Sequence, residues 1–166
     1  MIEVATKPQF HIVWNIIDRC RSSLLGQGIF QWDDHYPTVE TVRADIADRR
    51  LYLLTSSGIG RAVVTIDAKT EPQYSTVSWT TIEPTLIVHR LCVDPAFQRG
   101  GFGRQLMDYV ENYARRHRYA SLRLDAYSGN PRALALYRRR GYHEVGQIVF
   151  PRRVLQFTCF ELSLER

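Results

Sequence analysis

Apolar positions recur along this chain with two distinct periods. Ile12, Val13, Ile16, Ile17, Cys20 and Leu24 return at helical spacing until Gly26, which predicts an amphipathic helix preceded by a short edge strand over residues 2–5. Val39, Val42 and Ile46 predict a second helix, with Thr38 as its N-cap, Glu40 in its first turn and Arg49-Arg50 at its close. Leu51 to Thr55 and Arg61 to Asp67 flank Ser56-Ser57-Gly58-Ile59-Gly60, the pattern of an antiparallel hairpin. A polar connection with Pro72, Tyr74, Trp79 and Pro84 leads to Leu86–Val93, a buried strand that Pro95 stops because it cannot donate to a ladder. Phe102, Leu106, Tyr109, Val110, Tyr113 and His117 then mark a third helix reaching Arg118. Ser121 to Asp125 predicts a short strand ending at Asp125. Asn130 caps a fourth helix with Pro131 in its first position, and Gly141 ends it. Tyr142 to Phe150 and Leu155 to Leu164 predict two final strands, so the order is βααβββαβαββ.

Length and composition narrow the class. At 166 residues, 45% apolar and without low-complexity runs, the chain is expected to form one domain over residues 1–166. No apolar run approaches the roughly 18 residues of a membrane span, and the first ten residues lack a signal-peptide core, so no membrane partner and a cytoplasmic location are expected. Cys20, Cys92 and Cys159 are odd in number and far apart, which argues against a disulfide framework or a cysteine metal site. The formal charge of +5 is nearly all arginine, in clusters at 49–50, 115–118, 138–140 and 152–153. Two of these clusters fall in predicted last helical turns, where cations complement the dipole, so a nucleic-acid partner is disfavoured.

Between the buried strand and the third helix lies Gln98-Arg99-Gly100-Gly101-Phe102-Gly103. First-turn amides of a helix lack intrahelical acceptors and carry the positive end of the dipole, and glycines let an anion approach them. The loop is therefore an anion-cradle candidate. A P-loop needs Lys-Ser/Thr after the last glycine, and Arg104-Gln105 stand there; the dinucleotide fingerprint needs a different glycine order.

The segment resembles the cofactor loop of the Gcn5-related N-acetyltransferase (GNAT) family, Gln/Arg-x-x-Gly-x-Gly/Ala, through Gln98, Gly101 and Gly103. Val93-Asp94-Pro95 is similar to that family's strand end, and Asn130-Pro131-Arg132-Ala133-Leu134-Ala135-Leu136-Tyr137 with Gly141-Tyr142 is similar to its second signature. The resemblance covers residues 50 to 164 clearly. It implies an α/β fold with a mixed, mostly antiparallel central sheet flanked by helices, and acetyl-CoA as cofactor. By the same resemblance the amides of Gln98, Arg99, Gly100, Gly101, Phe102, Gly103 and Arg104 hold pyrophosphate. The backbone of Leu91 and Val93 pairs with the pantetheine arm, beside a bulge in the central strand, and one N–H near Leu91 faces the thioester oxygen. Asn130, with Ala133, meets the arm near its acyl end, and Tyr137 lies beside the sulfur, where a phenol could protonate the thiolate.

Several relatives carry a glutamate on the central strand. Here its polar side chains are His89 and Arg90. Imidazole titrates near neutral pH, so His89 is a general-base candidate, directly or through water, although a lone strand histidine is more often a core residue. Asp34 and Glu83 are weaker ones. Arg90 could bind a substrate carboxylate or fix a neighbouring acid. The aromatic and acidic loop with Trp32, Asp34 and Tyr36 is a candidate substrate wall, or simply pinned to the core. The function these features imply is acetyl transfer to a primary amine of a small molecule or protein by direct attack in a ternary complex. The alternative is a non-catalytic acyl-CoA sensor or interaction module. A homodimer through Phe150, Phe157 and Phe160 is one option, and core packing of those rings the other.

Overall fold

The computed structural model describes residues 1–81 and 83–164. Their element order is β1 (Ile2–Val4), α1 (Phe10–Gly26), α2 (Val39–Ala47), β2 (Leu51–Ser56), β3 (Ile59–Asp67), β4 (Thr85–Val93), α3 (Phe102–Arg116), β5 (Ser121–Tyr127), α4 (Pro131–Arg139), β6 (His143–Ile148) and β7 (Phe157–Ser163). This is the predicted order. The strands form a seven-stranded sheet in the order β1-β2-β3-β4-β5-β7-β6. It is mostly antiparallel, with one parallel pair in which Thr85, Leu86 and Ile87 of β4 face Ser121, Leu122 and Arg123 of β5.

The described residues group into two compact units. The first holds residues 1–28, 32–66 and 89–110. Its core is Val13, Ile16, Ile17 and Cys20 of α1, Val42 and Ile46 of α2, Leu51, Leu53 and Val63 of the hairpin, Cys92 and Trp32. The hairpin register, Leu51 on Thr65 through Leu54 on Ala62, puts these β2 and β3 side chains there. Thr38 caps α2 by accepting from the Thr41 amide, as predicted, a bond worth about 1 kcal/mol. Ile12 departs from the predicted stripe and is 43% exposed. It lies over Gly60, where a Cβ would come within 2.5 Å of its Cγ2.

The second unit holds the described residues of 29–31, 67–81, 83–88 and 111–164. Tyr74, Val77, Ile87, Tyr127, Ile148, Phe157 and Cys159 form its core, with Phe150 packed against it, and Phe160 is also fully buried. The three phenylalanines thus serve the chain's own packing. Strand β5 runs on through Asp125 to Tyr127, paired with β7, so Asp125 sits within a strand and not at its end. The last two strands are shorter than predicted, because Val154 and Leu155 are exposed in the connecting turn.

Helix α3 stops at Arg116, and His117 beyond it is exposed. Its buried residues are Leu106, Met107, Val110, Glu111 and Ala114, while Tyr109 and Tyr113 are half-buried. The stripe differs from the predicted one because an acid occupies it: Glu111 receives Arg140 Nε and Nη2 at 2.7 and 2.8 Å.

The connection before β4 is fastened by Arg123, whose Nε donates to Glu161 at 3.0 Å and whose Nη2 donates to the Thr81 carbonyl at 2.5 Å. Glu161 also accepts from the Thr80 amide and hydroxyl. Burial alone would raise the Glu161 pKa, but the Thr80 donors and Arg123 outweigh it and hold the carboxyl below its ordinary 4.5. A depressed folded-state pKa stabilises the fold fully above that ordinary value, and the contribution is lost as pH falls through the folded-state one. Glu161→Gln should cost about 1–3 kcal/mol at pH 7 in urea unfolding and show a shallower loss of stability below about pH 4.5 than the native chain.

Candidate active site

The glycine loop is built in the first unit. After β4, Asp94 caps a 3-10 turn at Pro95–Phe97 by accepting from the Ala96 amide at 3.0 Å, and Arg19 pairs with the same carboxylate at 2.7 Å. The Gly100 amide donates back to the Phe97 carbonyl at 3.3 Å, closing the turn. Arg61 stacks its guanidinium 3.7 Å above the Phe97 ring. Arg99 and Gly101 have φ of 68° and 79°, so the chain twists through two left-handed residues into the first turn of α3. Successive amides in such a conformation make an anion-binding concavity.

The glycines distinguish packing from ligand access. A Cβ on Gly100 would come within 2.8 Å of the Phe102 ring, so the fold itself needs that glycine. A Cβ on Gly103 would meet only Val93 Cγ2, at an ordinary 3.5 Å. Packing does not demand a glycine at 103, whereas an anion approaching the amides of α3 does. The loop therefore fits the pyrophosphate of coenzyme A.

On β4, His89, Leu91 and Val93 are half-buried. The Val93 carbonyl accepts from the Cys20 thiol at 3.0 Å and from Gln98 Nε2 at 3.4 Å. Arg90 has φ of 48° inside the strand. Its Nη1 donates to the Tyr36 hydroxyl at 2.5 Å and its Nε to Asp45 at 2.9 Å. Of the two alternatives for Arg90, the structure shows it fixed on a neighbouring acid. The loop that carries Tyr36 is folded by Asp33, whose carboxylate accepts from the His35 and Tyr36 amides. Trp32 is 6% exposed and belongs to the core, while Asp34 projects outward beside Arg21 at 3.4 Å.

The second unit assembles the other signature residues on α4. Asn130 Oδ1 accepts from the Ala133 amide at 3.2 Å, and its Nδ2 donates to Gln31 Oε1 at 2.7 Å. One side chain thus caps the helix and ties down residues 29–31. Tyr137, one turn beyond Ala133, is buried against the rings of Tyr142 and Phe160, with centroids 5.8 and 5.6 Å away. Burial, then the charge of Asp125, pushes its phenol well above the ordinary 10. Tyr137 is a proton holder at neutral pH.

Asp125 is the residue that sequence reasoning passed over. It is half-buried in β5, accepts from the Tyr74 hydroxyl at 2.7 Å, and also raises the thiol of Cys159, its partner across β7, to about 12 after burial. The available signal was an acidic residue inside a strand otherwise apolar at Leu122, Leu124 and Ala126.

Comparison with known proteins identifies the family and the fold. The model of the acetyltransferase (GNAT) family matches residues 13–142, and the chain belongs to that family. An N-alpha-acetyltransferase RimI of Mycobacterium tuberculosis is 30% identical over 133 residues, covering 78% of this chain and 75% of that protein. An aminoglycoside N(6')-acetyltransferase type 1 of Acinetobacter baumannii is 26% identical over 121 residues, covering 72% of this chain and 82% of the relative. Among solved structures, an acetyltransferase of Salmonella typhimurium with its cofactor acetyl-CoA superposes with a TM-score of 0.72 at 18% identity, covering 100% of this chain and 94% of that one. The family uses acetyl-CoA.

The two bonds of Asn130 can be separated by substitution. Asn130→Asp retains a cap oxygen but loses the Nδ2 donor. It should keep unfolding free energy within about 1 kcal/mol of native while faster amide exchange appears in residues 29–31, whereas Asn130→Ala should lose both cap and tie. Urea unfolding with hydrogen exchange checks this.

Proposed function

We propose that this chain is an acetyl-CoA-dependent N-acetyltransferase acting on a primary amine of a small molecule or a protein, by direct attack of the amine in a ternary complex. The observation that carries the reading is Tyr137, held one turn beyond Ala133 on α4 against Tyr142 and Phe160, in a chain whose glycine loop turns through left-handed Arg99 and Gly101 into α3. A module that only binds acyl-CoA needs the loop but no phenol that can donate a proton. The acceptor class agrees with relatives named for an aminoglycoside and for alpha-amino groups. Three buried free thiols suit a cytoplasmic setting.

Acetyl-CoA supplies an activated acetyl group as a thioester. By the family resemblance, the loop amides from Gln98 to Arg104 would hold its pyrophosphate, the backbone of Leu91 and Val93 would hold the pantetheine arm, and Asn130 and Ala133 would meet the arm near its acyl end; the Leu91 N–H would stabilise developing charge on the carbonyl oxygen. Asp125 accepts the proton that the amine releases on attack. Tyr137, whose phenol keeps its proton at neutral pH, would donate it to the sulfur as the C–S bond breaks. The acceptor amine is received by the loop of Trp32, Asp34 and Tyr36, in which Trp32 shapes the wall from within and Asp34 offers an exposed negative charge to a cation.

A second reading gives the amine proton to His89, which is half-buried next to the kink at Arg90. Free-thiol release against a panel of aminoglycosides, polyamines and N-terminal peptides identifies the acceptor, and pH–rate profiles assign the base. Tyr137→Phe should lower kcat by about a hundredfold with little change in acetyl-CoA affinity. Asp125→Asn should abolish the acidic limb of kcat/KM. If His89→Ala abolishes it instead, His89 is the base, and if neither does, the amine binds already neutral.

A further inference from the structure

Six described residues other than glycine have left-handed φ: Arg49, Ser57, Arg90, Arg99, Arg118 and Arg152. Five of them lie in turns. Arg90 alone lies inside a strand. No local turn chemistry accounts for that backbone, so something must hold it there.

The holding group is Asp45 of α2. Its carboxylate is 1% exposed and receives four donors: Arg90 Nε at 2.9 Å, Arg90 Nη2 at 2.6 Å, Thr65 Oγ1 at 3.1 Å and Arg50 Nη2 at 3.2 Å. The Arg90 guanidinium, 8% exposed, uses its remaining arm on the Tyr36 hydroxyl. Burial works against its charge, but Tyr36 and Asp45 outweigh burial and its pKa is raised. A fork with three directed bonds to two elements fixes its own Cα far better than a point charge could. One buried acid thereby determines the backbone at Arg90, immediately before Leu91, and the place of Tyr36 in its loop.

We infer that Asp45 is a positioning residue for acetyl transfer: through Arg90 it holds the left-handed kink of β4 that sets the direction of the Leu91 N–H, and it anchors the acceptor loop at Tyr36. This rests on the acetyl-transfer reading above. The glycine loop has separate fastenings in Arg19, Asp94 and Arg61, so the part of cofactor affinity that the loop supplies does not depend on Asp45.

The experiment is the crystal structure of Asp45→Asn together with its kcat, acceptor KM and acetyl-CoA Kd. Residue 90 should return to an extended φ. At the same time kcat should fall by about tenfold or more and acceptor KM should rise, while acetyl-CoA Kd should change by a much smaller factor than kcat. Thr65→Val removes one bond to Asp45 but leaves the ion pair, and should lower the Tm without changing kcat; a merely structural role for Asp45 predicts that same pattern for Asp45→Asn. If Asp45→Asn does not fold, the double variant Asp45→Asn, Arg90→Gln leaves no lone buried charge and carries the same expectation. Retention of either the left-handed φ or the native kcat overturns the inference. A native protein that binds acetyl-CoA but transfers acetyl to no amine overturns the acetyl-transfer reading itself, and the catalytic role of Asp45 with it.

Discussion

A carboxylate taken out of water must bring its counter-charge with it. That constraint organises this chain. Asp45 is paired with Arg90 and Arg50, Glu161 with Arg123, Glu111 with Arg140 and Asp94 with Arg19. Each pair fastens a different element: the kink of β4, the connection before β4, the end of α4 and the turn that leads into the glycine loop. The choice of arginine over lysine follows from the same constraint, since a planar fork can bond two partners at once while a compact ammonium cannot orient itself. An excess of arginine that first suggests a polyanion partner thus includes several internal counter-ions.

The fold was legible because most of its instructions are local. The Thr38 cap, the Asn130-Pro131 helix start and the Ser57-Gly58 turn act within a few residues of themselves, and periodicity needs no knowledge of tertiary contacts. The glycine loop was legible for a related reason, because its turn depends on glycine itself, with Gly101 in left-handed φ and a Cβ at Gly100 crowding Phe102. What stayed hidden were interactions between residues far apart in the chain. Glu111 breaks an apolar stripe on α3 and is buried only because Arg140 meets it. Asp125 resembles a strand terminator until the Tyr74 hydroxyl donates to it and Cys159 of β7 pairs beside it. Trp32 stands among polar loop residues yet belongs to the core, which hydropathy along the chain cannot distinguish from display at the surface.

These particulars assign labour between backbone and side chains. In the proposed function, affinity for the cofactor rests on main-chain amides and on Gly103, where packing does not require a glycine. Proton movement falls to side chains, Asp125 on β5 and Tyr137 on α4. Buried ion pairs add no chemistry of their own in that reading; they hold the backbone that carries the reacting groups.

The central claim is that the glycine loop binds acetyl-CoA. Isothermal titration of the native chain with acetyl-CoA, beside a Gly101→Asp, Gly103→Asp variant of verified fold, tests it most directly. Side-chain carboxylates at those two positions would meet the cofactor's phosphates with like charge. The account predicts binding in roughly the micromolar range by the native chain and its loss in the variant. No binding by the native chain, or undiminished binding by the folded variant, would contradict it.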